Sequence, residues 1–173
     1  MIASGFARLL LMQTRRMLTG AVVLFALACG WSLPAQQTNR IDEARVQAVL
    51  KAMDAASVKM DWRTAVTNFA DDAVITLELH EGGEKYLDTY NKKKYLEMLE
   101  SGGSAFTDYT AERSDTRLQI ATDGQSATVK STLTEKFTRS GVRLESSSEE
   151  NYTLQLVAGK LWIKTLSSVV KVK

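Results

Sequence analysis

Residues 118–163 read LQIATDGQSATVKSTLTEKFTRSGVRLESSSEENYTLQLVAGKLWI. Three pairs, Asp123-Gly124, Ser140-Gly141 and Ala158-Gly159, cut this stretch and its flanks into four long segments of alternating polarity. Such pairs suit two-residue hairpin turns, so the spacing predicts four antiparallel strands in a meander. A tight turn also fixes which residues oppose one another, and opposed residues share a face of the sheet. The inward rows are then Ile120, Ala127, Leu154 and Ile163, followed by Leu118, Val129, Tyr152 and Thr165. On the outer face the same register sets Lys136 against Glu145, a cross-strand pair of opposite charge.

Continued along the strands, the register turns polar on its inward side. The third row is Thr116, Ser131, Glu150 and Ser167, and the fourth is Ser114, Leu133, Ser148 and Val169. Beyond them Glu112 faces Glu135, which costs stability unless the two share a proton, hold a cation or reach water. A carboxylate ringed by hydroxyls and an aromatic ring is what proton abstraction beside a carbonyl uses. Partial burial raises the pKa of such a group toward a working value, so Glu150 is the candidate acid–base residue. The competing reading is a satisfied carboxylate in a pocket without a reaction. Thr116, Ser131, Tyr152, Thr165 and Ser167 line that expected pocket. A bulge on any strand shifts every later pairing by one and moves these residues with it.

Upstream, Asp42 is a good N-cap, with Ile41 placed to staple onto Val46. Val46, Val49, Leu50, Met53, Ala56 and Met60 recur at helical spacing as a buried stripe, with Glu43, Lys51 and Asp54 off it. Asp61 caps a second helix carrying Trp62, Ala65, Val66 and Phe69, closed by Asp71-Asp72. Ala73 to Leu79 alternates as a strand, Gly82-Gly83 turns the chain, and Lys85 to Leu87 returns. Asn91 caps a third helix with Tyr95, Leu96 and Leu99, stopped by Gly102-Gly103.

The first 35 residues read as a cleavable secretory leader. Arg8, Arg15 and Arg16 precede an apolar run from Met17 to Cys29, and Leu33-Pro34-Ala35 closes with a small residue. Lipid modification at Cys29 and twin-arginine export through Arg15-Arg16 are weaker variants of the same reading. The leader holds 3 of the 22 Lys and Arg and no Asp or Glu, so the remainder has 19 against 20 and a net charge of about −1. Nucleic-acid binding wants a basic surplus that this remainder lacks. Without the leader the chain has no cysteine and one histidine, so a disulfide has no partners and a structural zinc site lacks ligands. Residues 36–40 read as a flexible start, residues 41–173 as one domain, and no membrane insertion is expected once the leader is removed.

Helix, helix, short hairpin, helix and four long strands resembles the nuclear-transport-factor-2-like superfamily, with its ketosteroid-isomerase-like and polyketide-cyclase-like (SnoaL-like) members. Its best carriers are Asp61-Trp62 through Phe69-Ala70-Asp71-Asp72-Ala73-Val74 and Gly159-Lys160-Leu161-Trp162-Ile163-Lys164. The resemblance implies an α+β, cystatin-like cone: three N-terminal helices on a strongly bent, mainly antiparallel sheet, often with a small apolar molecule at its mouth. It also implies that Trp62 can border the cavity. The ketosteroid isomerases place a catalytic tyrosine on the first helix, where this chain has none.

Two outlying features complete the reading. His80, between Glu78 and Glu81, points outward by strand parity and is a solvated histidine. Trp162, Leu166 and Val170 form an apolar stripe on the sheet's outer face, a candidate homodimer or docking surface. The expectation is an exported domain that binds a small apolar or amphipathic molecule without a cofactor. An isomerase or lyase using Glu150 is the alternative, and a homodimeric interaction module the next.

Overall fold

The computed structural model describes residues 39–173. They form α1 (Glu43–Val58), α2 (Trp62–Ala65), β1 (Phe69–Glu81), β2 (Glu84–Tyr90), α3 (Lys92–Gly103), β3 (Phe106–Ile120), β4 (Ser126–Arg139), β5 (Val142–Val157) and β6 (Lys160–Val172). The six strands make one curved sheet in the order β2-β1-β6-β5-β4-β3. Only β1 against β6 is parallel. The helices cover its concave face.

The caps sit where the sequence places them. Asp42, Asp61 and Asn91 accept from the backbone N–H three residues on, at 2.8, 3.1 and 2.9 Å, which satisfies donors that a helix start leaves orphaned. Val46, Leu50, Met53 and Ala56 are buried from α1 onto the sheet, and Ile41 joins them. Met60 falls beyond the helix in a left-handed conformation (φ 55°). The helix after Asp61 is one turn long, because Phe69 already belongs to β1. Opposite Lys164 of β6, residues 70–73 bow out of the ladder. That bow presents Asp71 and Asp72 to Lys92 and Lys164, at 3.1 and 2.6 Å.

Asn39 and Arg40, expected in a flexible start, hydrogen-bond to the β3–β4 connection: Gln125 donates to the Asn39 carbonyl at 2.8 Å, and Arg40 to the Thr122 carbonyl at 2.6 Å. The leader lies outside the described residues.

α3 runs through Gly102-Gly103 instead of stopping before them. Gly103 is where that helix meets α2. A Cβ there would stand 2.7 and 2.8 Å from Cε2 and Cζ2 of the Trp62 ring, closer than carbon atoms approach. Gly103→Ala is therefore expected to lower stability by about 1–3 kcal/mol through overpacking, measured by urea denaturation, while the exposed Gly102→Ala costs nothing comparable.

Two of the three meander turns are of the two-residue type. Ser140-Gly141 and Ala158-Gly159 both hold positive φ at each residue (52° and 78°; 50° and 77°). Asp123-Gly124 instead lies inside the five-residue connection 121–125, with Gly124 N–H bonded to the Ala121 carbonyl. The longer loop leaves the register unchanged, so Ile120 still faces Ala127.

Registry decides which side chains face the helices. The β4–β5 ladder is unbroken, Ser131 opposing Glu150 and Lys136 opposing Glu145, the latter an ion pair at 3.6 Å. The other two ladders slip. On β3, Arg117 opposes Lys130 but Ser114 opposes Thr132, and a second slip follows between Thr110 and Thr107. On β6, Leu154 still faces Ile163, but Thr153 faces Thr165 and Tyr152 faces Leu166. The β3 slips coincide with Asp115 and Asp108, each in left-handed backbone (φ 50° and 52°), a conformation that Asp tolerates better than most residues.

Candidate active site

Between α1, α2, α3 and the concave face of the sheet lies a cavity of about 300 Å³. Trp62, Phe69, Leu77, Tyr95, Leu99 and Leu133 supply much of its apolar wall. Its polar side is built mainly on β3, β4 and β5, with Asp54 from α1, and the bulges determine its membership. The slip at Asp115 swaps parity on β3, so the inward residues beyond it are Arg113, Ala111 and Tyr109 rather than Ser114 and Glu112. The extra residue on β6 is Lys164, after which Leu166, Ser168 and Val170 face inward.

The expected site residues divide accordingly. Glu150, Ser131 and Tyr152 are buried together, and Trp62 borders the cavity. Thr116, Thr165 and Ser167 are exposed, corrected to outside the pocket by the bulges at Asp115 and Lys164. Ser168 takes the place expected of Ser167. The same bulge removes the outer stripe: Leu166 is buried in the core and Val170 lines the cavity. Of that stripe only Trp162 stays outside, with Lys160 and Lys92 over its ring, at 3.6 and 5.9 Å from the centroid. Glu112 does not face Glu135; it is exposed opposite Thr134, while Glu135 points into the cavity. His80 lines no part of it and pairs with Glu78 at 2.6 Å.

Arg113, which the unbroken register had placed on the outer face, organises the polar side. Its side chain is 8% exposed, as is that of Glu150. Every donor of the guanidinium is engaged. Nε donates to Asp54 Oδ2 at 2.9 Å and one terminal nitrogen to Oδ1 at 2.8 Å, a two-pronged pairing, and that nitrogen also donates to the Tyr152 hydroxyl at 3.4 Å. The other terminal nitrogen donates to Ser131 Oγ and to Glu150 Oε2, both at 2.5 Å. The Tyr152 hydroxyl donates to the same Glu150 oxygen at 2.8 Å, and its ring lies beneath the guanidinium carbon, 5.5 Å from centroid.

Burial pushes the Glu150 carboxyl above its ordinary value, with Arg113 and the Tyr152 hydroxyl pulling against it. Burial and the Glu150 charge push the Tyr152 hydroxyl well above the usual tyrosine range. Further along β4 a second carboxylate, Glu135, accepts from the Tyr109 hydroxyl and from Ser146 Oγ, the latter at 3.0 Å.

Asp54, Arg113 and the Tyr109–Glu135 pair were missed by the sequence reading. Asp54 is four residues after Leu50 and so shares its side of α1, although it sits beside the apolar stripe. For β3 the available signal was Asp108 and Asp115 themselves. Aspartate is depleted in strand interiors and tolerates left-handed backbone, and each of these marks a bulge. Asp115→Gly is accordingly expected to keep the structure and to gain up to about 1 kcal/mol, whereas Asp115→Val should lose about 1–2 kcal/mol, read as shifts in the denaturation midpoint.

Sequence comparison with family models and with curated proteins finds no match. Comparison of structures finds many. A conserved protein from Planctomyces limnophilus superposes with a TM-score of 0.64 at 17% identity, covering 76% of this chain and 98% of its own. An NTF2-like protein from Cytophaga hutchinsonii gives 0.57 at 17%, over 75% and 98% of the two chains. This chain has the nuclear-transport-factor-2-like fold. Hexachlorocyclohexane dehydrochlorinase LinA-type3 from Novosphingobium barchaimii shares that fold, with a TM-score of 0.60 at 12% identity over 73% and 84%. At such identities the likeness extends to the fold, and the chemistry must come from this chain's own residues.

Proposed function

We propose that this is an exported domain that binds a small amphipathic organic molecule in the cavity between helices and sheet. The observation that carries the reading is the cavity of about 300 Å³, lined by apolar side chains and by a fixed polar constellation. Export rests on the basic residues and apolar run of the leader. The polar groups are held by the protein itself: Arg113 is committed to Asp54, Ser131, Glu150 and Tyr152, so the site is organised in advance of any ligand.

Proton transfer by Glu150 is the second reading, favoured by the upward push of burial on its carboxyl. The ion pair with Arg113 works against it, because a base held by a guanidinium gives up that interaction when it takes a proton. Native mass spectrometry of protein purified from an exporting host tests the first reading. The expected result is a mass excess in the few-hundred-dalton range characteristic of a ligand that fills such a cavity, lost on denaturation. Protein that carries no ligand and takes up none of a set of small aromatic probes would refute it.

A further inference from the structure

Two polar atoms in this cavity lack protein partners. Both hydrogen bonds to Glu150 fall on Oε2; among the described residues none reaches Oε1, although the side chain is 8% exposed and lines the cavity. The Tyr95 hydroxyl, brought in by α3, likewise has no hydrogen-bond partner among the described residues. A third group, Glu135, accepts from two hydroxyls and meets no Lys or Arg among the described residues. No buried polar side-chain atom among the described residues lacks a partner, so Glu150 Oε1 and the Tyr95 hydroxyl open onto the cavity, where a ligand's own groups can reach them.

Charge narrows the class. The cavity holds Asp54, Glu135 and Glu150 against the single guanidinium of Arg113, and the rim pair of Glu81 and Arg139, at 2.5 Å, cancels itself. Because every Arg113 donor is spent, an incoming carboxylate or phosphate finds no free cation and two carboxylates nearby. A neutral acceptor meets Glu150 Oε1, itself an acceptor. A donor carrying positive charge meets complementary groups on each side, with the rings of Tyr95, Tyr109 and Trp62 around it.

We infer that the ligand is a protonated amine with an apolar body, its ammonium group held at the Glu135 carboxylate. This rests on the small-ligand reading above and adds the chemical class. The Tyr95 hydroxyl and Glu150 Oε1 are the other open acceptors on the cavity wall, and the apolar body lies against Leu77, Leu99 and Leu133.

The test uses three probes of one shape, phenethylammonium, 2-phenylethanol and phenylacetate, titrated calorimetrically into the purified protein at neutral pH. The amine should bind about 10-fold or more tighter than the alcohol, with phenylacetate weaker still, a gap of about 1.4 kcal/mol per decade. Glu135→Gln should erase most of the amine's advantage while leaving the alcohol's affinity in place. Tyr95→Phe, which keeps the ring contacts with Phe69 and Tyr90, should weaken the amine several-fold. Phenylacetate or the alcohol binding as tightly as the amine would overturn the inference, as would an amine preference that survives Glu135→Gln. If the alcohol binds and the amine does not, the amine class alone fails; if none of the three binds, the small-ligand reading fails with it.

Discussion

Arg113→Met should destabilise the protein by about 3–5 kcal/mol at neutral pH, the cost of leaving buried carboxylates without their cation. Glu150 is 8% exposed and Asp54 25%, so Glu150 carries the larger part. The apolar replacement fills space but returns none of the hydrogen bonds to Asp54, Ser131 and Glu150. Adding Glu150→Gln to Arg113→Met should recover a large share of the loss, since the buried charge goes with it. The defect should also depend on pH in a direction that follows from the Glu150 carboxyl. Its folded-state pKa is raised above the ordinary 4.5, so its contribution is most favourable below 4.5 and is lost as pH rises through the folded value. Without Arg113 that upward displacement grows. The variant should therefore come closest to the parent near pH 4 and fall furthest behind at pH 7 and above, as measured by urea denaturation across that range. A deficit below 1 kcal/mol at pH 7 would mean that the network contributes little and that neighbouring groups replace it.

Filling the cavity should abolish binding while leaving most of the fold intact. Ser148 is 2% exposed, lies opposite Leu133 on one side and Val170 on the other, and opens onto the cavity. In Ser148→Phe the ring occupies space otherwise available to a ligand. Affinity for a bound probe should fall by about 100-fold or more, equivalent to about 2.7 kcal/mol. The strand pairing to either side involves the backbone alone, so far-ultraviolet circular dichroism should remain that of the parent. Retained affinity in a folded Ser148→Phe variant would move the ligand elsewhere on the molecule.

How far the sequence could be read depended on where the ladder kept its count. The β4–β5 hairpin carries no bulge, and the rows written from Ser140-Gly141 hold along its full length, including Ser131 opposite Glu150 and the Lys136–Glu145 pair. Helix caps were equally legible, because Asp42, Asp61 and Asn91 act through local hydrogen bonds that need no tertiary knowledge. Alternation alone could not reveal a single inserted residue. Asp115 exchanged Ser114 and Glu112 for Arg113 and Ala111 on the inner face, and Lys164 exchanged Ser167 for Ser168. The error ran past each bulge because side chains alternate with period two, so one extra residue reverses every position beyond it. Hence the rows brought Glu150, Ser131 and Tyr152 together, as the structure does, while Arg113 fell on the opposite face. Asp54 escaped for a related reason: beside an apolar stripe, an aspartate reads as solvated until a buried guanidinium is known to face it.

The proposed account stands or falls on whether small molecules enter this cavity, and the indole N–H resonances report that directly. Trp62 borders the cavity, whereas Trp162 lies on the outer face beneath Lys160. In two-dimensional ¹H–¹⁵N spectra of the protein without its leader, titration with phenethylammonium or 2-phenylethanol should move the Trp62 indole signal saturably and leave that of Trp162 in place. A Trp62 signal that stays fixed under both probes, or movement confined to Trp162 and surface amides, would contradict the account.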